Sequence, residues 1–135
     1  MSHRRVQTSG APAALGPYSQ AIDSGDLVAC SGQVGIDPAT GELAGGLEAQ
    51  VERALANLGA VLQAAGLSYG DVVKTTLFLV DMDDFGTVNE LYGRRFPEPQ
   101  PARSTIAVAA LPRGARFEIE ALAVRPRGAG AAARS

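Results

Sequence analysis

The stretch LEAQVERALANLGAVLQAAG (residues 47–66), running into LSYGDVVKTTLFLV (residues 67–80), decides the fold. In its first half Leu47, Val51, Leu55, Leu58, Leu62 and Ala65 recur at intervals of three and four, so they share one face of a helix about five turns long. Glu48 near the start suits the positive end of the helix dipole, and Gly66 suits the left-handed position just past the end. The second half changes period. VVKTTLFLV (72–80) is β-branched and almost continuously apolar, the pattern of a mid-sheet strand covered on both faces.

Downstream, Asp84 to Arg95 fits a second helix with Phe85, Val88, Leu91 and Tyr92 inward, stopped before Pro97. PEPQPA (97–102) places three prolines in six positions, which keeps the segment extended and delivers Arg103 in a nearly fixed place. STIAVAAL (104–111) and RFEIEALAV (116–124) follow as strands separated by PRGA, and residues 126–135 read as a flexible tail. Upstream, RRVQT (4–8) is a short strand and SGAPAALGP (9–17) a small-sided connector. Strands near 18–23 and 27–32 flank the turn residues DSGD, and IDPATGEL (36–43) holds a turn in which Gly41 is free to take positive φ. The strand–helix–strand order around both helices points to an α+β or α/β layer, two helices on one face of a mixed sheet, as one domain over residues 1–125.

A length of 135 residues suits one domain, burying about two-thirds of its unfolded surface without disulfides or metals. With 46% hydrophobic and 19% charged residues the composition is globular. A formal net charge of -2 argues against a protein that works by neutralising a phosphate backbone. Cys30 and His3 are alone of their kinds, so one chain cannot assemble a Cys/His zinc site, an iron–sulfur cluster or a His-based triad. No cofactor is expected. The sequence shows neither a signal-peptide apolar region nor a stretch of roughly 20 apolar residues, so the expectation is a cytoplasmic protein with no membrane partner.

The chemistry has two candidate carriers. In RFEIEALAV a period of two puts Glu118, Glu120, Leu122 and Val124 on one face and Phe117, Ile119, Ala121 and Ala123 on the other. Beside Leu122 and Val124, Glu120 is expected to be partly desolvated and a better proton acceptor for it; a solvated Glu paired with a surface Arg fits the same pattern. Arg103 after the proline-rich segment is a preorganised two-pronged partner for a carboxylate or phosphate; a structural ion pair fits equally. Were the last two strands a simple hairpin, an odd-sum register would put Arg103, Thr105 and Glu120 on one face, and an even-sum register would separate them. Asp81, Asp83 and Asp84 read as helix caps rather than a cation site. Cys30, in an apolar strand without a basic neighbour, reads as a small core residue.

APAALGPYSQAI (11–22), VACSGQVGIDPATGEL (28–43), LQAAGLSYGDVVKTTLFLVDM (62–82), FGTVNELYGRRF (85–96), PARSTIAVAALP (101–112) and EIEALAV (118–124) together resemble the Rid (reactive intermediate deaminase) family, also called YjgF, in order from about Thr8 to Val124. The resemblance implies a chorismate-mutase-like α+β fold, a homotrimer with sites between subunits, and hydrolysis of enamines and imines of 2-oxo acids, such as 2-aminoacrylate and 2-iminobutanoate, to the 2-oxo acid and ammonia without a cofactor. Carried over by motif, Arg103 matches the arginine that grips the substrate carboxylate and Glu120 the glutamate near the attacking water. Tyr18 matches a pocket tyrosine, Gly32 a backbone contact to substrate, and Asn89 a polar residue at the trimer or pocket edge. Thr105 stands where many members have cysteine, which leaves backbone groups there to orient water. Two other functions remain compatible with such a chain: a non-catalytic, chaperone-like or small-acid-binding trimer, and the endoribonuclease or translation-inhibitor activity attached to some relatives, against which the acidic balance and the lack of a His base count.

Overall fold

The computed structural model describes residues 2–126, so the tail expected from 126 onward lies, Pro126 apart, outside the described residues. The elements are β1 (Arg4–Val6), β2 (Ala21–Asp23), β3 (Leu27–Val34), α1 (Leu47–Ala64), β4 (Val72–Leu79), α2 (Phe85–Gly93), β5 (Ala102–Ala107) and β6 (Phe117–Val124). The six strands form one sheet in the order β1-β2-β3-β6-β4-β5, and only β4 and β5 run parallel. Both helices contribute to the core on one face, giving the expected α+β layer.

The helix face read from the sequence is the one buried: Val51, Leu55, Leu58 and Leu62 have no exposure and meet Val28, Leu77, Leu79, Phe117 and Ile119 of the sheet. Close approach of the layers depends on Gly35, because a side chain there would collide with the backbone of Gln50 in α1. Asn57 is fully buried in the same helix, and its amide donates to the carbonyls of Val34 (3.2 Å) and Ile36 (2.9 Å), fastening the end of β3.

The strand expected over 104–111 is shifted to Ala102–Ala107, starting at the last residue of the proline-rich segment, and two further expectations change. The last two strands are not neighbours, because β4 lies between them. A crossover through a helix makes the strands on either side of it parallel, so α2 brings β5 to the outer edge of β4 and leaves the other edge for β6. In addition, β2 starts at Ala21 rather than near 18. The Tyr18 N–H turns back to the carbonyl of Gly16 (2.8 Å), and buried Gln20 binds the connector instead, accepting from Thr8 N–H (2.8 Å) and donating to the carbonyls of Thr8, Ala11 and Pro12.

Asp23, buried at the end of β2, ties β1 to the residue that follows β6. Its carboxylate accepts from Gly25 N–H (2.9 Å) and pairs with Arg4 (2.7 Å) and Arg125, while Arg125 also caps the last turn of α1 at the Ala65 carbonyl (2.9 Å). The Gly25 N–H, with the charges of Arg125 and Arg4, holds the Asp23 carboxyl below its ordinary value against the opposing effect of burial. A carboxyl depressed on folding stabilises the native state above its unfolded value, about 3.9, and that contribution is lost as pH falls through the lower folded value. Asp23→Asn is therefore expected to cost about 1–3 kcal/mol at neutral pH and to flatten the acid side of the stability profile in urea titrations. An unchanged acid slope would assign the acid sensitivity elsewhere.

Candidate active site

On β6 the alternation holds: Phe117, Ile119, Ala121 and Ala123 are buried under the helices, and Glu118, Glu120, Leu122 and Val124 stand on the opposite, helix-free face. At the end of that face a cavity of about 420 Å³ is lined by Tyr18, Gly32, Arg113, Glu118 and Glu120 among others. Three residues singled out from the sequence, Tyr18, Gly32 and Glu120, thus meet in one place. Gly32 falls in an irregularity of the β3–β6 ladder between Cys30 and Gln33, the kind of bulge that re-aims backbone beside functional sites. The connector forms the cavity's rim, held by the Gln20 bonds and by Ser31 Oγ donating to the Ser19 carbonyl (2.6 Å). A wider cleft of about 940 Å³ beside it shares Tyr18 and Gln20 but has no carboxylate in its lining, so of the two it is the smaller that holds carboxylates.

The desolvated carboxylate is not the expected one. Glu120 is exposed, whereas Glu118 is half-buried, and its carboxyl fills the space left by Gly32, where any side chain would collide with it. Burial, with the charge of Glu120 adding to it, raises the Glu118 pKa above the ordinary glutamate value. Sequence alternation placed Glu118 on the correct face, but the importance of its position came from Gly32 in another strand.

Arg103 lies elsewhere. Its register partner on β4 is Thr75, and that of Thr105 is Leu77, both buried on the helix side, whereas Glu120 pairs with Thr76, which points the other way. Within one chain Arg103 and Glu120 therefore occupy opposite faces of the sheet, and the shared face expected of a hairpin does not exist. Arg103 is held by α2: Nη2 donates to Asn89 Oδ1 (2.6 Å), and the guanidinium sits over the rings of Tyr92 (5.0 Å) and Phe85 (5.6 Å). Tyr92 is fixed by its hydroxyl's 2.8 Å bond with buried Thr75 Oγ1. Asn89 and Thr105 thus accompany Arg103 rather than the Glu120 cavity. The Thr105 hydroxyl is buried with no hydrogen-bond partner among the described residues, so its donor and acceptor are both unused within the protomer. Sequence reading missed the Phe85–Tyr92 shelf because both residues fit the inner face of a helix; Tyr92 is buried there, but Phe85, expected inward, is exposed at the start of α2.

The remaining candidates have structural partners. Asp81 Oδ1 accepts from Asp83 N–H (2.9 Å) as a cap, and Asp84 makes a two-oxygen pair with Arg116 (3.1 Å each). Cys30 is buried in the core, which pushes its thiol up to about 11 and leaves it inert as a nucleophile near neutrality.

Residues 8–125 match the sequence model of the family described as Endoribonuclease L-PSP. The chain belongs to that family. This is the Rid, or YjgF, family that the quoted strings resemble. A Rid relative from Mus musculus, named 2-iminobutanoate/2-iminopropanoate deaminase, is 54% identical over 121 residues, 89% of this chain and 90% of the relative. The crystal structure of a Thermotoga maritima putative endoribonuclease is 54% identical with a TM-score of 0.88, covering 90% of this chain and 97% of that one. The Rid-family fold is likewise shared with Escherichia coli TdcF, solved with bound serine, at 44% identity and a TM-score of 0.87, covering 90% and 98% of the two chains.

Proposed function

We propose that this chain hydrolyses reactive 2-imino acids and their enamine tautomers to a 2-oxo acid and ammonia, and that it does so as a homotrimer with its sites between subunits. The observation that carries the assembled site is the division of Arg103 and Glu120 between opposite sheet faces. A substrate that needs both must take them from two protomers. The helix-free face supplies a surface for the assembly, because Leu27, Leu122, Val124 and Ile106 are each more than a third exposed along it. Apolar side chains in such a row gain by being covered. β5 is also an edge strand, so Arg103 stands at the rim of the protomer, where a neighbour's cavity can receive it.

The chemistry follows from these groups. Asn89 and the aromatic shelf pre-set the guanidinium plane of Arg103, which takes the substrate carboxylate through two parallel N–H donors. The neighbour's Tyr18 and Gly32 wall the reacting carbon, and its Glu120 removes a proton from a water as the oxygen adds to C2. A protonated imine is already electrophilic, so orientation and proton transfer account for most of the work. The serine held by the Escherichia coli relative is a small molecule of the same class, a carboxylate next to a nitrogen-bearing carbon.

Subunit mixing tests the division of the site. Arg103→Ala and Glu120→Gln, each strongly impaired alone at substrate well below KM, are combined, unfolded, refolded together and assayed at that concentration on 2-iminobutanoate generated by threonine dehydratase in competition with semicarbazide. If each site takes its arginine from one protomer and its glutamate from the next, a 1:1 mixture regenerates about one quarter of the native sites. Sedimentation of the wild-type chain and of the mixture tests the trimer. A mixture no more active than its components, from confirmed trimers, would place both residues of each site on one protomer and refute the intersubunit site.

A further inference from the structure

Among the described residues the cavity is lined by one cation, Arg113, in the turn Pro112–Gly114 before β6. Its backbone lies in the left-handed region at φ 62°, and no other described residue except glycine does so. A side chain is kept in such a conformation only where its surroundings fix it, and such positions collect at binding sites. We infer that Arg113 takes a second, distal carboxylate of the substrate, so that the site accepts 2-imino dicarboxylates such as 2-iminoglutarate as well as 2-imino monocarboxylates. This rests on the deaminase function proposed above.

The guanidinium is free to do this. Its Nη2 donates to the carbonyl of Gly41 (3.0 Å), in the loop that follows β3. That bond aims the side chain, and the other guanidinium N–H groups have no partner among the described residues. No carboxylate neutralises the charge: Arg113 is in none of the ion pairs among the described residues. Glu118 and Glu120 share the cavity but stand beyond ion-pair reach, and the charge that acts on the Glu118 carboxyl is that of Glu120.

The cavity has room for a longer acid. In the proposed pose the neighbouring protomer's Arg103 takes the C1 carboxylate and Glu120 faces C2, so the substituent on C2 runs along the remaining wall. The imine of a four-carbon acid is small for a space of about 420 Å³, since pockets from about 300 Å³ upward hold drug-sized ligands. Leu15, Ile36 and Pro112 line the same cavity, and their apolar surfaces suit the methylene groups of a longer chain. A carboxylate at the end of that chain meets the planar donors of Arg113, whose charge offsets the repulsion of a dianion by Glu118 and Glu120. The reaction is the same: water adds to C2, the C–N bond breaks, and the products are the 2-oxo dicarboxylate and ammonia.

The test measures kcat and KM of wild type, Arg113→Gln and Arg113→Lys on 2-iminoglutarate, made in situ from glutamate by an amino-acid oxidase with catalase. The comparison substrate is 2-iminopentanoate, made in the same way from norvaline, which has equal chain length and no distal charge. The quantity compared is the ratio of the two kcat/KM values. Wild type is expected to use 2-iminoglutarate at least as well as 2-iminopentanoate. Because Arg113 is exposed, its contact is weaker than a buried one, and Arg113→Gln is expected to lower the ratio about 5- to 20-fold, through KM. Arg113→Lys keeps the charge and is expected to retain part of the preference. A purely structural role for the bond to Gly41 would weaken both substrates alike and leave the ratio where it was. A ratio unmoved in Arg113→Gln, or a wild type that accelerates only 2-iminopentanoate, overturns the assignment and leaves the deaminase function standing. Should the variants misfold, competitive inhibition of wild type by 2-oxoglutarate no tighter than by 2-oxopentanoate overturns it equally. A wild type that accelerates neither imine overturns both.

Discussion

Glu120→Gln is expected to lower kcat for 2-imino acid hydrolysis by about 10²- to 10⁴-fold with little change in KM. Gln keeps the size and hydrogen-bonding shape of the side chain but cannot accept the proton that water sheds on attacking C2. Substrate holding is expected to stay intact because Arg103, on the opposite sheet face, comes from another protomer in the proposed site. The fold is expected to be indifferent: Glu120 is exposed and has no ion-pair partner among the described residues, so the melting temperature should move by no more than is usual for a surface substitution. The measurement is steady-state production of 2-oxobutanoate from in-situ imine, corrected for the spontaneous reaction. A Gln variant within twofold of wild type would remove Glu120 from the proton-transfer role.

Arg103→Ala is expected to reduce kcat/KM by about 10- to 150-fold, equivalent to 1.5–3 kcal/mol for a charge-assisted contact to the substrate carboxylate. The loss should fall chiefly on KM, since a grip on a non-reacting carboxylate is made in the ground state as well as in the transition state. Arg103→Lys is expected to recover little: an ammonium presents no planar pair of donors and cannot use Asn89 and the Tyr92–Phe85 shelf in the same way. A substrate lacking the carboxylate should make wild type and variant alike. Were Arg103→Ala to leave KM unchanged while lowering kcat, the guanidinium would belong to the reacting centre instead.

Much of this was legible in the sequence because it is local. The face of α1 follows from apolar residues at three and four, and the only change needed is an end at Ala64, one residue short of Ala65. β4 reads as central, and it is flanked by β6 and β5, but the expected cover on both faces is present on one only: Thr75, Leu77 and Leu79 are buried under the helices, whereas Lys74, Thr76 and Phe78 face the helix-free side half-buried. The alternation Phe117-in, Glu118-out holds along all of β6, since a strand's period of two leaves no other choice. The family, too, was legible, as collinear strings from the connector to β6.

What the chain by itself determined, then, is its elements, the face each presents and the identity of the chemical groups: an arginine after prolines, a glutamate on an alternating strand, a tyrosine and a glycine at the connector and bulge. Only the tertiary structure decided which of these meet. Strand order is a competition among edges far apart in sequence, and α2 settles it by carrying β5 to the outer edge of β4 and leaving β6 the inner one. From that single choice Arg103 acquires the register of Thr75 and the helix face, while Glu120 acquires that of Thr76 and the open face. Burial of Glu118 has the same origin, because the space it fills is a missing side chain on β3, 86 positions away in the numbering from Gly32 to Glu118. Periodicity fixes direction within an element, and contact between elements is set by packing.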